Sequence, residues 1–354
     1  MLREMDSRAD QVPVAASYAD KLIELLDDIG IEPTRLESLR RPALRANGNA
    51  VTFSGLREIL GRARTLSGEP ALGLLFGRKL QPANSTLISL LARAFPTLES
   101  AMPALLQYLN TQAPLSMLRI ESGDETCRIT LHEQFDLGEM RISYLEAVIA
   151  GLLNALHYLT GQPLSGARLS LAYPAPAWAD SYVTCLNMPI DFLAGDTALE
   201  LPAASLRQPL PRAQSGERAQ RQMECARALQ KLERSLPLEV RLRQLFNQCE
   251  GDYPSLDESA RLLNMSPRTL RRKLATLGTT YQKELDDMRC MRACHYLRAT
   301  SLSVRQVAAR MGYGDPSNFG RAFRGWTGLS PGALRQRNRH TNGQPVSFPS
   351  ATSE

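Results

Sequence analysis

Arg268, Arg271 and Arg272 stand at i, i+3 and i+4, and 49 residues further on Ser317, Gly320, Arg321 and Arg324 take up the same helical spacing. At 100° per residue each set shares one side of a helix. A guanidinium presents a rigid fork of donors that fits guanine O6 and N7, and the duplex major groove admits one helix. Lys273, Arg261 and Arg310 lie off these faces, as phosphate contacts or as solvated charges. Other chemistry is thin. The run Gly73–Leu80 has the wrong spacing for a phosphate loop, and no Ser or Thr follows Lys79. No nucleophile elbow is present, and His132 and His157 lack an acid or nucleophile partner, so both are expected to be structural. Cys290 and Cys294, with His295 beside them, have no fourth ligand and are expected to be buried thiols. No catalytic residue, metal or cofactor is expected, and the chain is not read as an enzyme.

The elements that position the arginines are written twice. Leu256–Leu263 and Val304–Met311 read as helices carrying Ala260 and Ala308, and each is followed by a residue type that tolerates a left-handed stop, Asn264 and Gly312. Ser266 and Asp315 then cap new helices that begin with Pro267 and Pro316. Two short helices joined by a tight turn describe a helix-turn-helix. Leu270, Leu274 and Leu277, and in the second copy Phe319, Phe323 and Trp326, are expected to face the core. Between the copies Tyr281–Ala299 reads as one helix of 19 residues, or ~28 Å, near the ~34 Å of one DNA turn.

Charge divides the chain in the same place. Residues 255–340 hold sixteen basic against six acidic residues, whereas residues 1–254 hold 26 against 29. A strongly basic block on a near-neutral body points to a polyanion-binding module beside a part with another task. With 43% apolar and 22% charged residues the chain is globular in composition. The most apolar stretch, Tyr144–Leu159, carries Glu146, Asn154 and His157, so neither a membrane span nor an association with membrane is expected. Six dispersed cysteines fit free thiols in a reducing cytoplasm.

Upstream, helices are expected over 18–29, 54–65, 70–76, 98–109 and 141–160, and strands over 116–121, 126–133 and 169–173, after a frayed arm at 1–16. Residues 17–203 thus read as an α+β domain for effector binding and dimerisation, 204–236 as linker and connector helix, and 237–340 as an all-α domain with two helix-turn-helix motifs joined by a linker helix. Residues 341–354 read as a disordered tail. The connector's apolar positions Met223, Ala226, Leu229, Leu232 and Leu236 suit packing or a dimer seam.

Asn264–Arg272, Met311–Phe323 and the ending Trp326–Pro331 resemble the DNA-binding domain of the AraC/XylS family of bacterial transcription regulators, over about residues 240–337. The resemblance implies base contacts at Arg268, Arg271, Arg272, Ser317, Asn318 and Arg321; Arg324 joins Lys273, Arg261 and Arg310 as a phosphate contact. Gly320 replaces the more usual small hydroxyl residue, and Leu334 replaces an aromatic before Arg335. The N-terminal region is more weakly similar to the arabinose-binding-like sensor domain of these regulators, a label of ancestry that does not point to arabinose. The resemblance implies a cytoplasmic regulator, usually an activator, with double-stranded promoter DNA, RNA polymerase, a second copy of the chain and a small-molecule effector as partners. The effector is an amino acid, a sugar or a fatty-acid-like molecule. The alternatives are a DNA-architectural protein without sequence preference, and an enzyme carrying a DNA-binding tail.

Overall fold

Alternation in the strand Thr126–Glu133 places Cys127, Ile129 and Leu131 on one face, all buried, and that face seeds the larger of two sheets. The computed structural model describes residues 9–15, 17–32, 45–46, 50–80, 86–214, 216–249 and 251–340. The smaller sheet contains β1 (Pro13–Ala15), β2 (Arg45–Ala46) and β3 (Ala50–Thr52) in the antiparallel order β1-β3-β2. Residues 9–15 are therefore not a frayed arm: Ala9, Val12 and Val14 are buried, and Pro13–Ala15 is held by Ala50–Thr52. The expected tail at 341–354 lies outside the described residues.

Helices α1 (Ser17–Asp28), α2 (Phe53–Ser67) and α3 (Leu72–Lys79) pack together through Leu22, Leu26, Phe53, Ile59, Leu72 and Phe76. The glycine-rich run that superficially suggests a phosphate loop is α3. A Cβ on its Gly77 would come within 2.6 Å of the Ala147 carbonyl oxygen, so Gly73 and Gly77 serve close helix–helix approach.

After α4 (Thr86–Ala94) and α5 (Leu98–Gln112), the larger sheet is formed by β4 (Ser116–Ser122), β5 (Thr126–Glu133), β6 (Arg168–Leu171), β7 (Ile190–Phe192) and β8 (Thr197–Pro202). Its order is β4-β5-β8-β6-β7, antiparallel except for β6 with β7. Helix α6 (Arg141–Thr160) is long and apolar enough to cross a membrane. Here Leu145, Ile149, Leu152, Leu156 and Leu159 are instead buried in one core with Leu118, Ile129, Leu169 and Leu199 of the sheet. Its buried Glu146 accepts from the Trp178 indole at 2.7 Å and the Tyr182 hydroxyl at 2.6 Å, tying α7 (Ala179–Leu186) to α6.

The stretch read as a linker is pinned to this domain. It begins with α8 (Ala203–Leu206), then Leu210 is buried and its N–H donates to Pro96 O at 2.9 Å. Helix α9 (Arg218–Ser235) buries Cys225 and Leu229 in the core of the larger sheet, with Leu232 packed against them. Gln222 donates to Ala94 O at 3.2 Å. Met223 and Ala226 of the expected apolar face are exposed, because the buried stripe runs through Cys225, Ala228, Leu229 and Leu232.

The C-terminal part is all helical: α10 (Leu238–Asn247), α11 (Leu256–Leu262), α12 (Pro267–Thr276), α13 (Tyr281–Ala299), α14 (Val304–Arg310), α15 (Pro316–Thr327) and α16 (Pro331–His340). It has two small cores. One joins Leu242, Phe246, Ala260, Leu270, Leu274 and Met288; the other joins Leu297, Val307, Ala308, Met311, Phe319 and Phe323.

Candidate nucleic-acid interface

Each helix-turn-helix is closed by the residues whose types demanded it. Asn264 has φ 58° and Gly312 φ 81°. Ser266 Oγ accepts from the Thr269 N–H at 3.2 Å, and Asp315 Oδ1 from the Ser317 N–H at 2.9 Å. The first helices are capped alike, by the boxes Ser255–Glu258 and Ser303–Gln306.

These caps aim the second helices. Leu270, Leu274, Phe319 and Phe323 are buried and Trp326 packs against the second core, whereas Leu277 is 51% exposed. Helix α12 ends at Thr276, so Leu277 caps its end and lies outside the core. On the opposite sides Arg268, Arg271 and Arg272, and Ser317, Asn318, Arg321 and Arg324, are all exposed, as are Lys273 and Arg261. Arg321 donates to Asn318 Oδ1 at 2.6 Å, which orders both side chains on the outer face. Arg310 is half-buried, its guanidinium 5.3 Å from the centre of the Tyr296 ring, so of the four expected phosphate contacts it is the one held against the protein.

Two arginines without a periodic signal fix how these faces are held. Arg289, on α13, lies between the rings of Tyr253 and Tyr313 at 4.9 and 5.2 Å, one beside each helix-turn-helix. The Tyr253 hydroxyl also donates to Arg310 O at 3.2 Å. The two motifs therefore touch each other as well as the ends of α13. Arg243, on α10, is 1% exposed; it pairs with Glu284 of α13 at 3.0 Å and donates to Gln134 O of the N-terminal domain at 2.6 Å. Asn247 donates to Gln134 Oε1 at 3.4 Å and Gln244 to Asn110 O at 3.2 Å. His295 Nε2 lies 3.1 Å from Asp196, and this hydrogen bond holds the Asp196 carboxyl below its ordinary range. Burial alone could have flagged Arg243; in sequence it is one charged residue on an amphipathic helix.

All six cysteines are free thiols: Cys127, Cys225 and Cys290 are buried, and Cys185, Cys249 and Cys294 are half-buried. Among the described residues no three His, Cys, Asp or Glu side chains cluster as metal ligands.

An α+β domain joined to paired helix-turn-helix units with exposed arginines defines a two-part, DNA-binding transcription regulator. Family comparison agrees on both halves. The arabinose-binding domain of AraC transcription regulators, N-terminal, matches residues 24–210, and a helix-turn-helix domain matches residues 259–337. The chain belongs to the AraC family of transcription regulators, with an N-terminal ligand-binding domain and a C-terminal helix-turn-helix region. It is 31% identical to the ornithine utilization regulator of Pseudomonas aeruginosa over 95% of this chain and 99% of that one. It is 26% identical to the HTH-type transcriptional regulator VirS of Mycobacterium tuberculosis over 88% of this chain and 93% of VirS. The crystal structure of the transcriptional regulator CdpR from Pseudomonas aeruginosa matches 88% of this chain and 97% of its own at 24% identity and a TM-score of 0.42.

Proposed function

We propose that Arg268, Arg271 and Arg272 of α12 and Ser317, Asn318 and Arg321 of α15 read base edges in successive major-groove segments of double-stranded promoter DNA. Lys273, Arg261, Arg310 and Arg324 then meet phosphates and set the register. The observation that carries this reading is the two-sidedness of both helices: apolar residues sealed in small cores on one side, donors exposed on the other. One subunit spans two unlike half-sites. Residues 17–203 bind the effector and support a homodimer, 204–236 connect, and 237–340 bind DNA. The output is activation in the cytoplasm through contact with RNA polymerase, and the chain catalyses no reaction.

Genome-wide footprinting of the full chain tests this directly. Discrete sites with a shared two-part motif are expected, each outcompeting random duplex by about a thousandfold or more. Equal binding of random and promoter DNA would instead make the chain an architectural protein.

A further inference from the structure

The N-terminal domain has two large apolar cores, and they meet along α6 around a cavity of about 90 Å³. Tyr18, Phe53 and Phe76 line it from one core, and Leu109, Leu118 and Val148 from the other. No charged side chain is in the lining. Its two phenol hydroxyls are spent: Tyr18 donates to Gln112 O at 2.9 Å, and Tyr144 Oη lies 3.2 Å from Ser116 Oγ. Glu146 is not in the lining; its carboxyl stands behind Gly73, where it accepts from Trp178 and Tyr182. A charged ligand would therefore be buried here without a partner. Leu80, Leu109, Val148 and Gly151 are half-buried, so the cavity reaches the surface along that rim.

One wall of this cavity also carries the DNA-binding half. Leu109 and Leu118 lie at its two ends, and the Asn110 side chain ties them together. That side chain donates to Leu118 O at 3.0 Å and accepts from the Leu118 N–H at 2.7 Å. Asn110 O in turn accepts from Gln244 of α10 at 3.2 Å. Pro114, also in the lining, accepts at its carbonyl from Gln134 Nε2 at 3.2 Å, and Gln134 O accepts from Arg243 of α10 at 2.6 Å. Helix α10 itself bridges two cores. Val240 lies in the one that holds Phe53 and Phe76, whereas Leu242 and Phe246 lie in that of the first helix-turn-helix.

We propose that this cavity is the effector site and that it takes a short apolar chain or ring, any polar end being left in water at the rim. The inference rests on the regulator reading and deepens it. An engineered apolar cavity of about 150 Å³ holds benzene, so a cavity of about 90 Å³ suits roughly four to six carbons. A ligand there presses on the wall 109–118 and favours whichever docking of α10 keeps the cavity open. Affinity for DNA shifts by that difference.

Calorimetry on the full chain tests this, with 1-butanol, 1-hexanol and benzene as apolar probes and succinate, lysine and glucose as polar ones. At least one apolar probe is expected to bind once per chain. A Cβ on Gly151 would meet only Leu80 Cδ1, at 3.7 Å, so a side chain can be added there. Gly151→Leu should fill the cavity and weaken that binding about tenfold or more while melting no lower than the parent. Val148→Ala, which enlarges the cavity, should favour hexanol over butanol more strongly than the parent does. A saturating probe should change the parent's affinity for a footprinted duplex by about fivefold or more and leave that of Gly151→Leu unmoved. Binding by no apolar probe, binding of polar probes alone, or binding without effect on the duplex overturns the proposal. So does undiminished binding in Gly151→Leu; if that variant misfolds, an unchanged preference in Val148→Ala overturns it instead. Absence of specific DNA binding by the parent, with or without probe, overturns the regulator reading, and the calorimetry still decides the cavity.

Discussion

Arg271 and Arg321 differ from Lys273 in what their loss should do, although all three are exposed. A reading guanidinium makes paired bonds to one base, so Arg271→Ala or Arg321→Ala should cost about 1–3 kcal/mol at the specific site and relax the preference there. Lys273→Ala should weaken all duplexes alike and reduce the salt slope by about one; binding isotherms at several salt concentrations separate the two patterns. His132 gives a second test. Its folded pKa of about 3 lies below the ordinary 6.5, so the unfolded chain binds the proton more readily. Its contribution to stability is complete above pH 6.5 and is lost as pH falls toward 3. Melts of the parent and His132→Asn over that range should converge on the acid side. The outward arginines were legible from helical phase alone. Leu277 was not, since phase holds only while the helix continues; His132, expected to be structural, is an uncharged ring 3.0 Å from the Thr130 hydroxyl.

Helices with strong caps were the elements best read from sequence. The span of α13 coincides with its expected bounds, and the turn residues Asn264 and Gly312 both adopt positive φ. They are not interchangeable, however. A Cβ on Gly312 would run into the carbonyl oxygen of Gly251, whereas Asn264 already carries a side chain. Gly312→Ala should therefore destabilise the chain by about 1–3 kcal/mol, and Asn264→Gly should shift it by less than about 1 kcal/mol; denaturant melts check the difference. The sheet was harder to read. Strand β8, Thr197–Pro202, is inserted between β5 and β6 and pairs with β5 residues some seventy positions away, such as Leu201 with Cys127. Nothing local in its sequence specifies those partners. Helix α9 shows a subtler limit: its existence follows from periodicity, but the stripe it buries includes Cys225, which lies off the expected apolar face.

At the scale of the whole molecule, residues 204–236 read as linker and connector helix, yet the start of that stretch is bonded down and the domains meet through Arg243, Gln244, Asn247 and His295. Composition marks a linker, but only tertiary partners decide whether it is loose. The DNA-binding half nevertheless has all it needs to stand alone. Both of its apolar cores draw their members from residues 238–334, and Arg243 keeps its Glu284 partner inside the same half. What a fragment 237–340 loses is the hydrogen bonds of Arg243 and Asn247 to Gln134, of Gln244 to Asn110 O and of His295 to Asp196, the packing of Arg243 on the Phe135 ring, 4.4 Å away, and the burial of Val240 in the N-terminal core. Losing those contacts leaves Arg243 solvated on the fragment surface with its carboxylate partner intact, not buried and uncompensated, so the large penalty of breaking a buried pair does not arise. The fragment should fold and retard a footprinted duplex in a gel without the N-terminal domain, while losing any response to effector. A folded fragment that fails to bind would mean that the N-terminal domain holds the two reading helices in place, and the boundary at 237 would then divide a single working unit.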